Sequence, residues 1–188
     1  MPSILVTPPA QEPISLTEAK AHLRMVHNDE DALIASLITA SRRHVEAQTG
    51  LVLIAQEWQI LIDEWPLAGT VDLATAPLLS VDEVAIFGEE DDKAVVDPAH
   101  YYADLASRPP RLMLRGSRLW PAPARAGNGI GITVTAGFGI SGDNVPSELR
   151  QAILLLVAHW YEHRGNAKPP ALPLTLGALL AHFREVRL

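Results

Sequence analysis

Cysteine is missing from all 188 residues. The chain can therefore form no disulfide framework, carries no thiol nucleophile and offers no thiolate to a metal. Long apolar runs are missing as well. The longest is Ala152–Ala158, far below the roughly 20 residues needed to cross a bilayer as a helix. The opening residues Met1-Pro2-Ser3-Ile4 lack the basic stretch of a secretory signal. Basic residues are in deficit, 15 against 22 acidic ones, for a formal charge of -7. A monomer that coats nucleic acid needs the opposite sign. There is no internal repeat and no low-complexity tract. What is present is ordinary for a folded chain: 48% of residues are hydrophobic. Length and composition point to a soluble, acidic, cytoplasmic protein of one domain, or of one domain with a large insertion.

Local signals divide the chain. Residues 1–14 hold Pro2, Pro8, Pro9 and Pro13, which predicts an extended arm. Ser15-Leu16-Thr17-Glu18 fits a capping box and predicts a short helix to about His27. Asn28, followed by Asp29, Glu30 and Asp31, suits the start of a second helix, where acids meet the positive end of the helix dipole. Leu33, Ile34, Leu37, Ile38 and Val45 keep a helical rhythm up to the stop at Gly50.

From Leu51 the rhythm becomes alternating. Strand-like runs are predicted at Trp58–Ile62, Val71–Leu73, Val81–Phe87, Ala94–Val96, Tyr101–Asp104, Arg111–Leu114 and Ile130–Ala136, separated by proline and glycine. Such a series makes a small sheet or barrel. After Gly142 the helical pattern returns over Ser147–Arg164, with Asp143-Asn144 as the expected cap and Pro146 in the first turn. That helix is apolar nearly all round. It therefore belongs at the centre of a bundle or is covered by another subunit as well. A proline-rich linker follows, then a last helix from Thr175 to about Glu185.

The predicted fold class is α+β: a helical bundle built from both ends of the chain, with a β-rich insertion between the second and third long helices. The boundaries are 1–14 for the arm, 15–50 and 143–165 for the bundle, 51–142 for the insertion, and 166–188 for the linker and C-terminal helix.

Two patterns carry the outline of a chemistry. His159-Trp160-Tyr161-Glu162-His163 spells H-x-x-E-H, in which histidines four apart share a helix face and can grip zinc while Glu162 activates a bound water. A zinc-dependent hydrolase is the alternative reading from that pattern. It lacks an evident third ligand, because Glu185 is the sole acid after His163. Gly137-Phe138-Gly139-Ile140-Ser141-Gly142 spells G-x-G-x-x-G, but the helix start falls after the glycines and Asp143 puts negative charge where a phosphate must sit. It reads as a turn. Glu89-Glu90-Asp91-Asp92 lacks the spacing of a calcium loop and reads as a solvated hairpin tip. Arg108, Arg111, Arg115, Arg118 and Arg125, with Trp120 nearby, form a locally basic stretch. It is either a contact for nucleic acid or an acidic partner, or a set of scattered exposed arginines. No motif supports catalysis, and no cofactor or metal is expected.

Taken in order, the segments Ile14–Arg24, Asn28–Asp31, Val45–Gly50, Val134–Gly139, Val145-Pro146 and Trp160–Gly165 resemble the head–tail connector (adaptor) family of long-tailed bacteriophages and phage-derived gene transfer agents. The resemblance spans about residues 14–185. It implies a homo-oligomeric ring, typically of twelve subunits, between the portal protein and a neck or stopper protein, with DNA passing through and no membrane contact. The location implied is the head–tail junction of the particle, with assembly in the host cytoplasm. Another neck or tail-completion protein of the same particle is a neighbouring alternative. The resemblance assigns portal docking to the C-terminal segment: Leu176, Leu179, Leu180, Phe183, Arg184, Arg187 and Leu188. Subunit packing is expected of Leu149, Ile153, Leu156, Val157, Trp160 and Tyr161. Glu89, Glu90, Asp91 and Asp92 are the expected acids of the passage.

Overall fold

The structure, a computed structural model, describes residues 2–166 and 171–183. Among these, helices and sheets are mixed as α+β. They fall into two compact units: one comprises the residues up to Ala10 with Ala55–Phe138, the other Gln11–Ile54 with the residues from Gly139 onward.

The first unit is β-rich. Its strands are β1 (Ser3–Thr7), β2 (Gln56–Ile62), β3 (Thr70–Asp72), β4 (Leu78–Phe87), β5 (Lys93–Val95), β6 (Tyr101–Asp104), β7 (Arg111–Leu114) and β8 (Ile130–Ala136). They form two antiparallel sheets, one ordered β1-β2-β8-β4-β5 and the other β3-β7-β6. Alternation decides which face is covered. Ile60, Ile132 and Val84 lie across from one another and are buried, as are Ile62 and Ile130. On the opposite face Gln59, Thr133 and Glu83 align. Gly131 faces the Phe87 ring so closely that an added Cβ would stand 3.1 Å from it.

One element differs from the expected arm. The run Ser3-Ile4-Leu5-Val6-Thr7 is a strand paired with β2. Its prolines stand outside it, at Pro2, Pro8 and Pro9, where no ladder bond is lost.

The second unit is helical, with α1 (Leu16–His22), α2 (Asp31–Thr49), α3 (Ser147–Glu162) and α4 (Leu174–Ala181). The capping box at Ser15 and Glu18 is formed in both directions. α1 ends at His22, earlier than expected, and Arg24 then takes a left-handed backbone (φ 56°). Asn28 does not cap α2. Its side chain accepts from Lys20 Nζ at 2.5 Å, and Glu30 takes the cap position. The Glu30 carboxylate makes no cap bond, because it accepts from Tyr161 and from Arg164 (3.0 Å) at the far end of α3. Gly50 closes α2 with φ 74°, as a left-handed stop requires. Ile34, Ile38, Val45, Leu149, Ile153 and Leu156 are buried at the centre of this unit.

A charged group is sealed into the bundle. Arg42, only 6% exposed, reaches Glu12 and Glu46 at 2.7 Å each. Glu46 also accepts the Leu53 amide at 3.0 Å. Burial works against the Arg42 charge, but the two carboxylates overcome it and the guanidinium is held above its usual value. Burial pushes Glu46 up, against the pull of the Leu53 amide and Arg42.

Candidate functional site

The surfaces expected to meet other proteins are α4, α3 and the β4–β5 hairpin. α4 begins at Leu174 with Pro173 as its cap, so Thr175 lies inside the helix instead of capping it. Leu176 and Leu180 are 4% and 1% exposed, because α4 packs on α2 and α3 of its own chain. These two leucines hold the helix down and are not free to dock. Leu179 and Phe183 are half-buried, whereas Leu174 is 95% exposed. A shallow apolar groove of about 290 Å³ lies beside it, lined by His44, Gln48, Leu172, Pro173, Leu174 and Gly177 among others. Arg184, Arg187 and Leu188 lie outside the described residues.

The expected packing face on α3 needs a correction. Leu149, Ile153, Leu156 and Val157 are each 0% exposed within the single chain. α1, α2 and α4 all pack on α3, so no neighbour can touch those four. Trp160 and Tyr161 remain half-buried. The Trp160 ring meets His44 edge-on at 5.7 Å, and Tyr161 is engaged with Glu30 and lies under Arg164. The all-round apolar pattern marks a central bundle helix.

Glu89, Glu90, Asp91 and Asp92 are exposed at the tip between β4 and β5. Asp91 is bridged by Arg125 at 2.8 Å. They sit in the more acidic part of the chain: residues 55–138 hold 12 carboxylates against 6 Lys and Arg. The basic stretch from Arg108 to Arg125 is largely used inside its own unit. Arg115 donates to the Tyr101 carbonyl (2.7 Å), Arg118 to that of Ala99 (2.5 Å), and Arg111 pairs with Asp72 (3.3 Å). Trp120 stacks on Trp65 at 4.1 Å and donates to the Gly69 carbonyl. These side chains fasten loops, which is why they cluster.

The two enzyme-like patterns resolve into structure. His163 Nδ1 lies 2.7 Å from the His159 carbonyl, Glu162 is exposed, and no group of three metal-ligating side chains occurs among the described residues. In the glycine run, a Cβ on Gly139 would stand 2.4 Å from Asn144 Oδ1, and one on Gly142 would stand 2.4 Å from the Pro13 carbonyl. Asn144 also accepts the Ser141 amide. These glycines let a tight turn close ahead of α3.

Residues 13–90 match the sequence model of the Phage gp6-like head-tail connector protein family. Three solved chains extend the likeness to the whole length. One comes from the neck of an empty gene transfer agent (GTA) particle computed with C6 symmetry: it is 28% identical, covers 100% of this chain and 97% of its own, and has a TM-score of 0.86. The chain resembles the head–tail connectors in sequence and in fold. A second relative, from the virion of a native GTA particle, is 27% identical with the same coverage and a TM-score of 0.86. A third, from the neck of a native GTA particle computed with C12 symmetry, is 28% identical over the same spans, with a TM-score of 0.77. No curated protein sequence matches the chain.

Proposed function

We propose that this protein is a structural head–tail connector subunit: copies of it form a ring in the neck of a phage-like or gene transfer agent particle, between portal and stopper, and DNA passes through. The observation that carries the reading is the end-to-end likeness to a GTA neck chain, all of this chain against 97% of that one, at 28% identity. The C12 symmetry of a similar neck supports twelve copies. No catalytic step is assigned.

The remaining assignments follow from surface chemistry. The exposed start of α4 and the residues after it reach the portal, with Leu174 as the described anchor, 95% exposed beside an apolar groove. An amphipathic end segment whose inner leucines are fixed presents its outer ones to a partner. The acidic hairpin tips at Glu89–Asp92 face the passage. Carboxylates repeated around a ring repel phosphates, so DNA slides without being held.

The test is attachment to portal. Full-length protein mixed with portal rings should appear by electron microscopy and native mass measurement as a second ring on the portal. A chain that stays monomeric and ignores portal sinks the proposal. Leu174→Asp, and deletion of residues 174–188, should abolish attachment. Full attachment by both removes the C-terminal assignment while leaving the ring reading intact.

A further inference from the structure

Among the described residues both ends of the five-stranded sheet are open: β1 has no partner beyond β2, and β5 none beyond β4. All five residues of β1 are exposed, including Ile4, Leu5 and Val6 at 52%, 38% and 51%. A bare apolar edge strand is a template for another chain. At the opposite end, β5 is exposed throughout, with Val95 at 58%. Beside it lies a groove of about 360 Å³ lined by Ile86, Ala94, Val95, Leu119 and Pro121 among others. Leu119 is 86% exposed.

The two edges fit each other in detail. The Leu61 amide donates to the Pro2 carbonyl, which makes Ser3–Ile60 a non-hydrogen-bonded pair. Ser3 and Leu5 therefore aim their N–H and C=O groups away from β2. The Val96 amide donates to the Val84 carbonyl, so Val95 likewise aims its N–H and C=O away from β4. Every neighbour in the sheet is antiparallel, so its two outer strands, an even number of steps apart, run in the same direction. A head-to-tail neighbour thus brings its β1 parallel to β5. Val95 N–H then donates to the Ser3 carbonyl, and Leu5 N–H donates to the Val95 carbonyl, as a parallel ladder requires. Ile4 falls opposite Val95. Following the register across the sheet, Ile4 lies on the face of Gln59, Thr133 and Glu83, and Val95 on that of Ala85, two residues beyond Glu83. The two faces are the same one. Leu5 falls on the other face, that of Trp58 and Ala94, toward the groove.

Charge selects the occupant. β5 is bracketed by Glu89–Asp92 and Asp97, which repel an acidic strand. Residues 2–10 contain no charged side chain. We infer that β1 of one subunit docks on β5 of the next, with Leu5 in the groove, so that neighbouring sheets continue around the ring. Such a heterologous contact closes both edges of every copy at once. The inference rests on the ring-forming reading above.

The absence of native cysteine makes a clean test. The full-length double variant Ile4→Cys/Val95→Cys, assembled on portal and mildly oxidised, should give a ladder of covalent multimers extending beyond dimer. Either single variant should stay monomeric on a denaturing gel. Rings of normal mass with no cross-linked ladder overturn the edge pairing but leave the connector reading in place, whereas failure of the wild-type chain to form rings overturns both. Dimers from Ile4→Cys alone mean that β1 pairs with β1, which also overturns it. As a second variant, Leu5→Pro removes the outward N–H and the side chain assigned to the groove, and takes no hydrogen bond from the pairing with β2. It should keep the wild-type circular dichroism and raise the concentration needed for ring assembly at least tenfold; unchanged assembly refutes the pairing.

Discussion

Replacing Arg42 with alanine takes away the cation held between Glu12 and Glu46. Arg42 is 6% exposed, Glu12 27% and Glu46 17%, so the group is largely shielded from water. Breaking a buried pair by removing one partner costs about 3–5 kcal/mol, mostly because the other charge stays behind unpaired. Glu12 retains some access to water, which puts the expected loss near the lower end, at about 3 kcal/mol. For a chain of this size that corresponds to a fall in Tm of roughly 6–12 °C. Urea unfolding followed by circular dichroism measures it. The pH dependence makes the test stricter. Glu46 is already held above its usual value by burial, and without Arg42 it rises further. A carboxyl whose folded value is raised favours folding below its unfolded pKa and loses that contribution as pH climbs through the folded one. The deficit of Arg42→Ala should therefore shrink as pH falls from 7 towards 5. Arg42→Lys, which keeps the charge but cannot fork to both carboxylates, should fall between. A loss below about 1 kcal/mol, or a deficit that grows on acidification, refutes the reasoning.

Glu18 is held below the usual carboxylate range by the Ser15 amide first, then by the Ser15 hydroxyl and Arg150, against some burial. Asp104 is lowered by the Ser107 hydroxyl and amide. Stability from both is complete above their unfolded values and lost as pH falls through the folded ones, so Tm should drop as the pH falls below about 4.5, and Glu18→Gln should flatten that limb. Gly177 sits within α4 with nothing within 4 Å of an added Cβ; Gly177→Ala should raise Tm slightly, by about 0.5–1 kcal/mol of stability. Gly139→Ala should lower Tm and disturb the Asn144 turn, since φ there is 156° and the new methyl meets Asn144 at 2.4 Å. Replacing Glu89, Glu90 and Asp92 with lysine should leave the monomer's Tm within a few degrees and slow DNA release from assembled particles; unchanged release removes these acids from the passage.

The helical parts were legible wherever the signal was local and unopposed. The Ser15–Glu18 box and Gly50 each act through their own backbone, and both mark real helix boundaries. β6, β7 and β8 run between breakers and match their predicted bounds residue for residue. Signals failed where a tertiary partner competed. Asn28 is a good cap by itself, but Lys20 claims its side chain. The capping role expected of Asp143-Asn144 passes to Ser141 and a short 3-10 turn, after which Pro146 precedes α3. β1 was hidden by its flanks: four prolines in fourteen residues outweighed a five-residue run rich in β-branched side chains, although none of the four lies inside it.

Surfaces are harder to read than elements, and α3 shows why. An apolar position states that a side chain must be covered; it does not state by which chain. Leu149, Ile153, Leu156 and Val157 look the same in the sequence whether α1, α2 and α4 or a neighbouring subunit covers them, and here the single chain covers all four. The reverse error lies at the edges. Ile4, Leu5 and Val6 were too few and too close to proline to register as a surface, yet they form the barest apolar edge in the β-rich unit. On the ring reading proposed above, the residues that make the assembly are those a monomer leaves uncovered. The information therefore lies in the mismatch between what the sequence makes apolar and what the fold buries. β1 and β5 carry that mismatch at opposite ends of one sheet, whereas α3, the more conspicuous apolar element, does not.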